Sequence, residues 1–313
     1  MTSWLCSCNL ISYNHNGRFR VRFAGHVGHL TSEQSAALLQ FKSKLIESKL
    51  YTPPSDDNTQ PASHDDVTLL RFLRARKFDP LKAYKQFADT ETWRTKHDVD
   101  RLFKEFDPVE FEDARRFYPR WTGRRDKDGR PIYVYRIASV GKIQQELNAI
   151  PAERRYQRII ALYEAMCGYV LPLCSKLPHP TETPISSVTT IIDLEDVSFG
   201  TMWSLRNHLQ EASHLATANY PETLNVTAVV NSPSFFPKIW SWISNWFDEG
   251  TRNKIYVLGN DPGPMLYKII DKKDLPKTYG GELEWVFGDV PLLDEDTVQE
   301  IGVMPKGPVV FGS

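Results

Sequence analysis

The chain has 313 residues, of which 41% are apolar and 25% charged, and its formal net charge is −1. That is the composition of a soluble globular protein with one large or two ordinary domains, and near-neutrality leaves no global field to draw it to nucleic acid or anionic membrane. Any anion must therefore be held by a local basic cluster. Four cysteines in a chain this long make no disulfide framework, and no uninterrupted apolar run reaches the ~18–20 residues of a spanning helix.

Residues 1–30 contain no acidic side chain but carry Arg18, Arg20 and Arg22, and are expected to form a disordered extension. Residues 31–116 read as a helical domain. "TSEQ" at 31–34 is a capping box, with Thr31 as N-cap, opening a helix to about Leu50. A proline-rich polar loop follows. The second helix covers "SHDDVTLLRFLRARK", with Ser63 and Asp66 at capping spacing and Arg71, Arg74, Arg76 and Lys77 within two turns. Asp79 and Pro80 open a third, because proline suits the first helical position. Leu81, Tyr84, Phe87 and Ala88 line one face of it up to Trp93.

From about residue 117 the pattern changes. "DKDGRPIYVYRI" is a turn and a strand, and 186–194, 224–232 and 253–259 are β-branched runs of strand length. Between them, 152–171, 201–217, 236–249 and 262–273 have helical spacing. Strands alternating with helices predict a mixed α/β fold around a mostly parallel sheet.

The segment "SFFPKIWSWISNWFD" (234–248) holds three of the eight tryptophans. At helical spacing its polar residues fall on one narrow stripe. Phe236, Trp240, Ile243 and Phe247 make one apolar stripe, and Phe235, Ile239, Trp242 and Trp246 a second. A surface helix ordinarily buries one stripe; this one has apolar surface for two partners.

Catalytic motifs are missing: no GxGxxG, Walker A, HExxH or GxSxG occurs. Asp193, Glu195 and Asp196 follow a strand, where carboxylates more often cap the next turn than catalyse. His208 and His214 are six apart and point to different sides, so no shared metal is expected. No catalytic residue, metal or cofactor is expected. What remains is the basic face at 71–77, Glu222 before a strand, and Thr251 with Lys254. If that turn is helical, a hydroxyl beside an ammonium makes a small phosphate site, although the spacing alone is common.

Several stretches together resemble a known family: "DDVTLLRFLRARKFD" (65–79), "FYP" (117–119), "DKDGRPIYVY" (126–135), "IIDLEDVS" (191–198), "EASHLATANYPETL" (211–224), "VVNSPSFF" (229–236), "KIYVLG" (254–259) and "LPKTYGGEL" (275–283). The chain resembles the CRAL-TRIO lipid-transfer family, in particular fungal phosphatidylinositol/phosphatidylcholine transfer proteins of the Sec-fourteen type. The resemblance runs in order from about residue 35 to 287. It implies a helical N-terminal bundle (31–116), an α/β lobe with a deep apolar lipid pocket (117–287), and a C-terminal tail (288–313) outside the match.

The resemblance also implies roles. The aromatic helix (Phe235, Phe236, Trp240, Trp242, Ile243, Trp246, Phe247) would gate the pocket, one stripe facing acyl chains and the other the bilayer interface, where tryptophan is at home. The phosphatidylinositol headgroup site would comprise Arg76, Pro131, Glu222, Thr251, Lys254 and Gly281, with Glu222 bonding both Lys254 and Arg76. A second-lipid pocket matches poorly. Tyr133 and Tyr163 are retained, but Thr122 stands at a tyrosine position, Val188 at a serine position and Ile192 at a methionine position. The function implied is exchange of a single lipid, phosphatidylinositol, by a monomer without enzymatic activity. It would be cytoplasmic, associate peripherally with endomembranes (Golgi, endoplasmic reticulum or endosome) in membrane trafficking, and present its lipid to a lipid kinase. The alternatives are a carrier of a second lipid or another apolar ligand (sterol, other phospholipid or haem), and a lipid sensor that does not exchange.

Overall fold

A computed structural model describes residues 23–57, 59–247 and 249–312; the expected N-terminal extension lies outside these except for residues 23–30. Those eight are packed rather than loose. Phe23 is buried with the Arg130 guanidinium 5.9 Å from its ring, and the Gly25 carbonyl accepts a hydrogen bond from Arg74.

The helical half begins with α1 (Ser32–Glu47), whose capping box is complete: Gln34 N donates to Thr31 Oγ1 and Thr31 N to Gln34 Oε1. In α2 (Asp66–Ala75) the cap is Asp65, which accepts from Thr68 N at 2.7 Å, and not Ser63. Asp79 caps α3 (Pro80–His97), which runs past the predicted end at Trp93. Phe41, Leu45, Leu69, Leu70, Leu73 and Phe87 bury each other in its core, the Phe87 ring edge-on to Phe41 and Phe72. Short helices α4 (Val99–Lys104) and α5 (Pro108–Ala114) lead to the sheet.

The sheet has five strands in the order β1 (Arg120–Arg125), β2 (Pro131–Arg136), β3 (Val188–Asp193), β4 (Leu224–Val230) and β5 (Ile255–Val257). β1 is antiparallel to β2, and the other pairs are parallel. The crossovers are α6 (Ile137–Lys142), α7 (Gln144–Ala149), α8 (Ala152–Ala165) and α9 (Leu171–Lys176) between β2 and β3; α10 (Phe199–Asn219) between β3 and β4; and α11 (Phe236–Ile243) with α12 (Glu249–Arg252) between β4 and β5. Each step moves one strand in the same direction. Right-handed crossovers in one direction put every crossover helix on one face.

The pleat sorts the residues accordingly. Tyr135, Ile192 and Val229 share the helix-covered cluster. Ile132, Val134, Ile191, Ala228 and Val230 face the other way, against Leu266, Ile270, Leu275, Tyr279, Leu283 and Trp285. Only Gly263–Leu266 (α13) of the predicted 262–273 helix is α-helical.

A π-turn, Met166–Val170, joins α8 to α9. The helical run Ala152–Lys176 has the length and hydropathy of a membrane span, contrary to the expectation from sequence, but half of its most apolar window is buried inside the fold.

The C-terminal residues, expected as a tail, form a strap. Leu292 N donates to Thr122 O at 2.8 Å, and Arg125 pairs with Asp294 and Asp296 at 3.0 and 3.1 Å. Asp294 caps α14 (Glu295–Ile301), and Phe311 N reaches the Gly168 carbonyl in the π-turn at 2.9 Å. Gly123 permits this. Its φ is +89°, and a Cβ there would lie 2.6 Å from the Leu292 backbone.

Candidate functional site

The amino ends of β4 and β5 bring two charged residues together. Before β4 the chain turns at Pro221 and Glu222, and Glu222 sits in the left-handed region at φ 59°, a conformation costing a non-glycine residue roughly 1–2 kcal/mol. Strain of this kind persists where the surroundings over-determine it. Thr223 fixes the turn, its hydroxyl donating to Tyr220 O and its carbonyl accepting from Val188 N. Before β5, Lys254 N donates to Thr251 O, and the Lys254 carbonyl accepts from Thr227 N at 2.8 Å. With both backbones stitched to the sheet, Lys254 Nζ lies 3.0 Å from Glu222 Oε2, each side chain a little under a third exposed.

Glu222, Thr251, Lys254 and Arg76 line one cavity of about 160 Å³, with Tyr163, Tyr220 and Phe247 as its aromatic wall. Pockets for drug-sized ligands run to about 300–1,000 Å³, so this cavity as it stands is smaller than such a ligand fills.

Arg76 does not meet Glu222. Its guanidinium donates to its own neighbour, the Ala75 carbonyl, at 3.2 Å. The arginine that shares a field with Glu222 is Arg74: burial lowers its pKa to about 10, Glu222 opposes that, and Arg71 adds to it. Arg74 donates to Gly25 O and Ser186 Oγ, both at 3.3 Å. Sequence spacing could not single it out, because every position of an arginine-rich double turn looks alike until the partner is placed.

Pro131 and Gly281 are not among the residues lining this cavity. Pro131 is buried at the start of β2, two strands from β4, or ~10 Å at normal strand spacing. Gly281 packs so tightly that a Cβ would lie 1.9 Å from the Leu275 carbonyl oxygen.

The second-pocket residues divide. Tyr163 stacks on Tyr220 at 4.9 Å, and Tyr133 and Val188 share a cluster with the π-turn. Ile192 lies in the neighbouring cluster under α10 and α11. Thr122 is fully buried, and alternation turns it away from the face that Trp121 shares with its cross-strand partner Tyr133. It does not belong with the other four.

The aromatic helix is shorter than predicted: α11 ends at Ile243, and a 3₁₀ turn, Ser244–Trp246, follows. Phe236 and Ile239 are buried, so Ile239 belongs to the inward side rather than to the outer stripe. Phe236 stacks on Trp240 at 6.3 Å, while Trp240, Ile243, Trp246 and Phe247 are half-buried. Phe235 and Trp242 instead meet Phe199 edge-on at 5.9 and 6.0 Å, and Trp242 meets Trp203 at 5.6 Å. Phe199, Trp203 and Trp242 remain 38%, 48% and 37% exposed, with Arg206 over the Trp203 ring at 4.1 Å. The sequence reading missed Phe199 and Trp203; their four-residue spacing at the start of α10 was the available signal.

The remaining titratable candidates are occupied structurally. Asp193 accepts from Glu195 N and Asn231 Nδ2 at 2.9 Å and from the Tyr279 hydroxyl at 3.2 Å, and Arg136 bridges Glu195 and Asp196. His208 is packed against Tyr118 at 5.4 Å, and burial, with Arg155 nearby, lowers its pKa to about 4. His214 is exposed.

An N-terminal helical bundle precedes a sheet wound in one direction, whose charged pair lies at the amino ends of the parallel strands, opposite to the carboxyl ends where open α/β sheets commonly bind ligands. The sequence profile of the CRAL/TRIO domain matches residues 118–281, and that of the CRAL/TRIO N-terminal domain matches residues 37–89. The chain belongs to the CRAL/TRIO family. It is 34% identical over 262 residues to the SEC14 cytosolic factor of Kluyveromyces lactis, covering 83% of this chain and 82% of that one. The Sec14 cytosolic factor of Schizosaccharomyces pombe is 33% identical, covering 83% and 86%. A phosphatidylinositol/phosphatidylcholine transfer protein of Arabidopsis thaliana, SFH7, is 34% identical over 72% of this chain and 41% of its own. The crystal structure of Sfh5 shares the fold, with a TM-score of 0.63, 18% identity, and coverage of 87% of this chain and 96% of that one.

Proposed function

We propose that this chain is a cytosolic phosphatidylinositol carrier that exchanges one lipid at membrane surfaces. The observation that carries the reading is the Glu222–Lys254 pair at 3.0 Å, with Thr251 beside it, on the rim of an aromatic-walled cavity. A lysine partly withdrawn from water needs a carboxylate partner when no ligand is present. An inositol phosphate would take over Lys254 and Thr251, and Glu222 would keep the cluster near neutral in both states. Arg76 would serve from the same rim, and Pro131 and Gly281 would shape the sheet end and the turn behind it.

The relatives named as phosphatidylinositol/phosphatidylcholine transfer proteins and as cytosolic factors support the same class of ligand and compartment. Extraction requires an interior that matches the bilayer's burial of about 0.8 kcal/mol per methylene. In this reading the 235–247 segment swings out at the bilayer, opening the cavity that Phe247 walls. A monomer acting this way can present its lipid to a lipid kinase at an endomembrane.

Carriage of another apolar ligand is the rival, favoured by the apolar side chains of Val188 and Ile192 beside Tyr133 and Tyr163. Mass spectrometry of lipid extracted from the purified protein, with a vesicle-to-vesicle transfer assay, tests the proposal. Phosphatidylinositol bound and transferred is expected. Binding without transfer would leave a sensor, and a sterol or haem in its place would overturn the reading.

A further inference from the structure

On α3, Gln86, Thr90 and Arg94 recur every four residues, a spacing that puts them on one face. That face meets the end of α10 and the turn that carries Glu222. The last carbonyls of a helix have no partner within it. Here Gln86 Nε2 donates to Thr217 O and Ala218 O at 3.1 and 2.9 Å, and Thr90 Oγ1 to Ala218 O at 3.3 Å. One turn further along, Arg94 grips Glu164 of α8 with both terminal nitrogens, Nη1 to Oε1 at 2.8 Å and Nη2 to Oε2 at 3.2 Å. The Tyr220 hydroxyl donates to the same Glu164 Oε1 at 2.6 Å. Burial first, and then the Glu164 carboxylate, push the Tyr220 hydroxyl well above its ordinary pKa, so it keeps the proton that it donates.

Tyr220 stands two residues before Glu222. Its ring stacks on Tyr163 at 4.9 Å and meets Trp93 of α3 edge-on at 6.0 Å, and its carbonyl accepts from the Thr223 hydroxyl at 2.9 Å. The turn is thus held at a ring, a hydroxyl and a carbonyl, with Glu222 inside it at φ 59°. A left-handed non-glycine residue persists where its surroundings over-determine it, and a bidentate guanidinium–carboxylate pair supplies direction as well as energy. Neither Arg94 nor Glu164 is among the residues lining the cavity, so their influence on a ligand runs through this turn.

We propose that Arg94 and Glu164 are positioning residues for the headgroup site: from the helical bundle and α8 they fix Tyr220, and with it the angle at which Glu222 meets Lys254. The proposal rests on the reading of Glu222 and Lys254 as the phosphatidylinositol headgroup site. Burial of acyl chains is non-directional and needs no such brace, whereas charged hydrogen bonds to a head group depend on geometry. The N-terminal bundle therefore sets selectivity for the head group and leaves chain burial untouched.

The test loads the full chain from vesicles holding equal amounts of phosphatidylinositol and diacylglycerol with the same acyl chains, and reads the ratio of the two bound lipids by mass spectrometry. The parent is expected to favour phosphatidylinositol. Tyr220→Phe keeps the ring stack and leaves Glu164 paired with Arg94, so no buried charge is stranded; the ratio should fall by about threefold or more. Arg94→Lys keeps the charge but loses the fork, and should lower the ratio as well. The double variant should lose no more than the larger single loss, because both changes break one link. A purely structural role would lower total loading and leave the ratio unchanged. That result, or single losses that multiply in the double variant, would overturn the proposal. A parent chain with no preference for phosphatidylinositol would refute the headgroup reading itself, and this proposal with it.

Discussion

Glu222 holds Lys254 at 3.0 Å across the amino ends of two parallel strands, from a backbone turn in the left-handed region. Two different losses follow when each partner is removed. Lys254→Ala takes away the proposed phosphate donor and leaves a carboxylate that water can still reach. Phosphatidylinositol transfer between vesicles should fall by about tenfold or more, the value of a charge-assisted hydrogen bond, while the thermal midpoint stays close to the parent's. Glu222→Gln removes the orienting carboxylate and should weaken transfer less. A lysine variant that transfers phosphatidylinositol at the parent rate would remove the headgroup assignment.

Trp242 rests on Phe199 and Trp203 while staying partly exposed. These contacts hold the aromatic segment against α10, and each aromatic pair is worth about 0.5–1.5 kcal/mol. Trp203→Ala should therefore loosen the segment without removing a core side chain, and Trp242→Asp should impair membrane contact. Vesicle co-sedimentation checks both: reduced binding for Trp242→Asp, and parent-level binding with faster lipid exchange for Trp203→Ala. If Trp242→Asp sediments like the parent, the outward aromatic surface is not the membrane contact.

Much of this architecture was legible because its causes are local. The capping box at Thr31 and the Asp79–Pro80 start are decided within a turn of chain, and both stand where the sequence puts them. The β-branched runs of β3 and β4 are equally self-declaring. β1 was not, because "RWTGRR" has neither alternation nor β-branched density; it is a strand because β2 pairs with it around a bulge. The strap escaped for the same reason, as its position depends on Gly123 and Arg125, far away in the chain. At the candidate site the resemblance named Arg76, whereas Arg74 is the arginine whose charge Glu222 favours. Which arginine meets a distant carboxylate is decided by packing, not by periodicity.

Gly123 lets the strap close on β1, and its substitution tests how much the strap contributes. Gly123→Ala adds a Cβ 2.6 Å from the Leu292 backbone at a φ of +89°. The strained conformation costs on the order of 1–3 kcal/mol, and relief requires the strap to move. The thermal midpoint should fall, and limited proteolysis should cut first within residues 288–312. A variant as stable and as protease-resistant as the parent would mean that the strap adds little to the fold.

His208 makes stability depend on pH. Its folded-state pKa is depressed from 6.5 to about 4 by burial first and Arg155 second, and its Nδ1 has no hydrogen-bond partner. The ring lies against Tyr118, with Arg155 the nearby charge. His26, beside Arg74 and Arg130, is depressed in the same way. The unfolded chain therefore takes up these protons first. Stability from His208 is fully present above the unfolded value of 6.5 and is lost as pH falls toward about 4, amounting to up to about 3 kcal/mol. Urea denaturation at about pH 7.5 and about pH 5 should show a drop in midpoint that His208→Gln reduces by a measurable share. Every other titrating group is common to both proteins, so the difference between the two curves isolates the imidazole. Parallel curves for parent and variant would show that His208 is free to take its proton in the folded state.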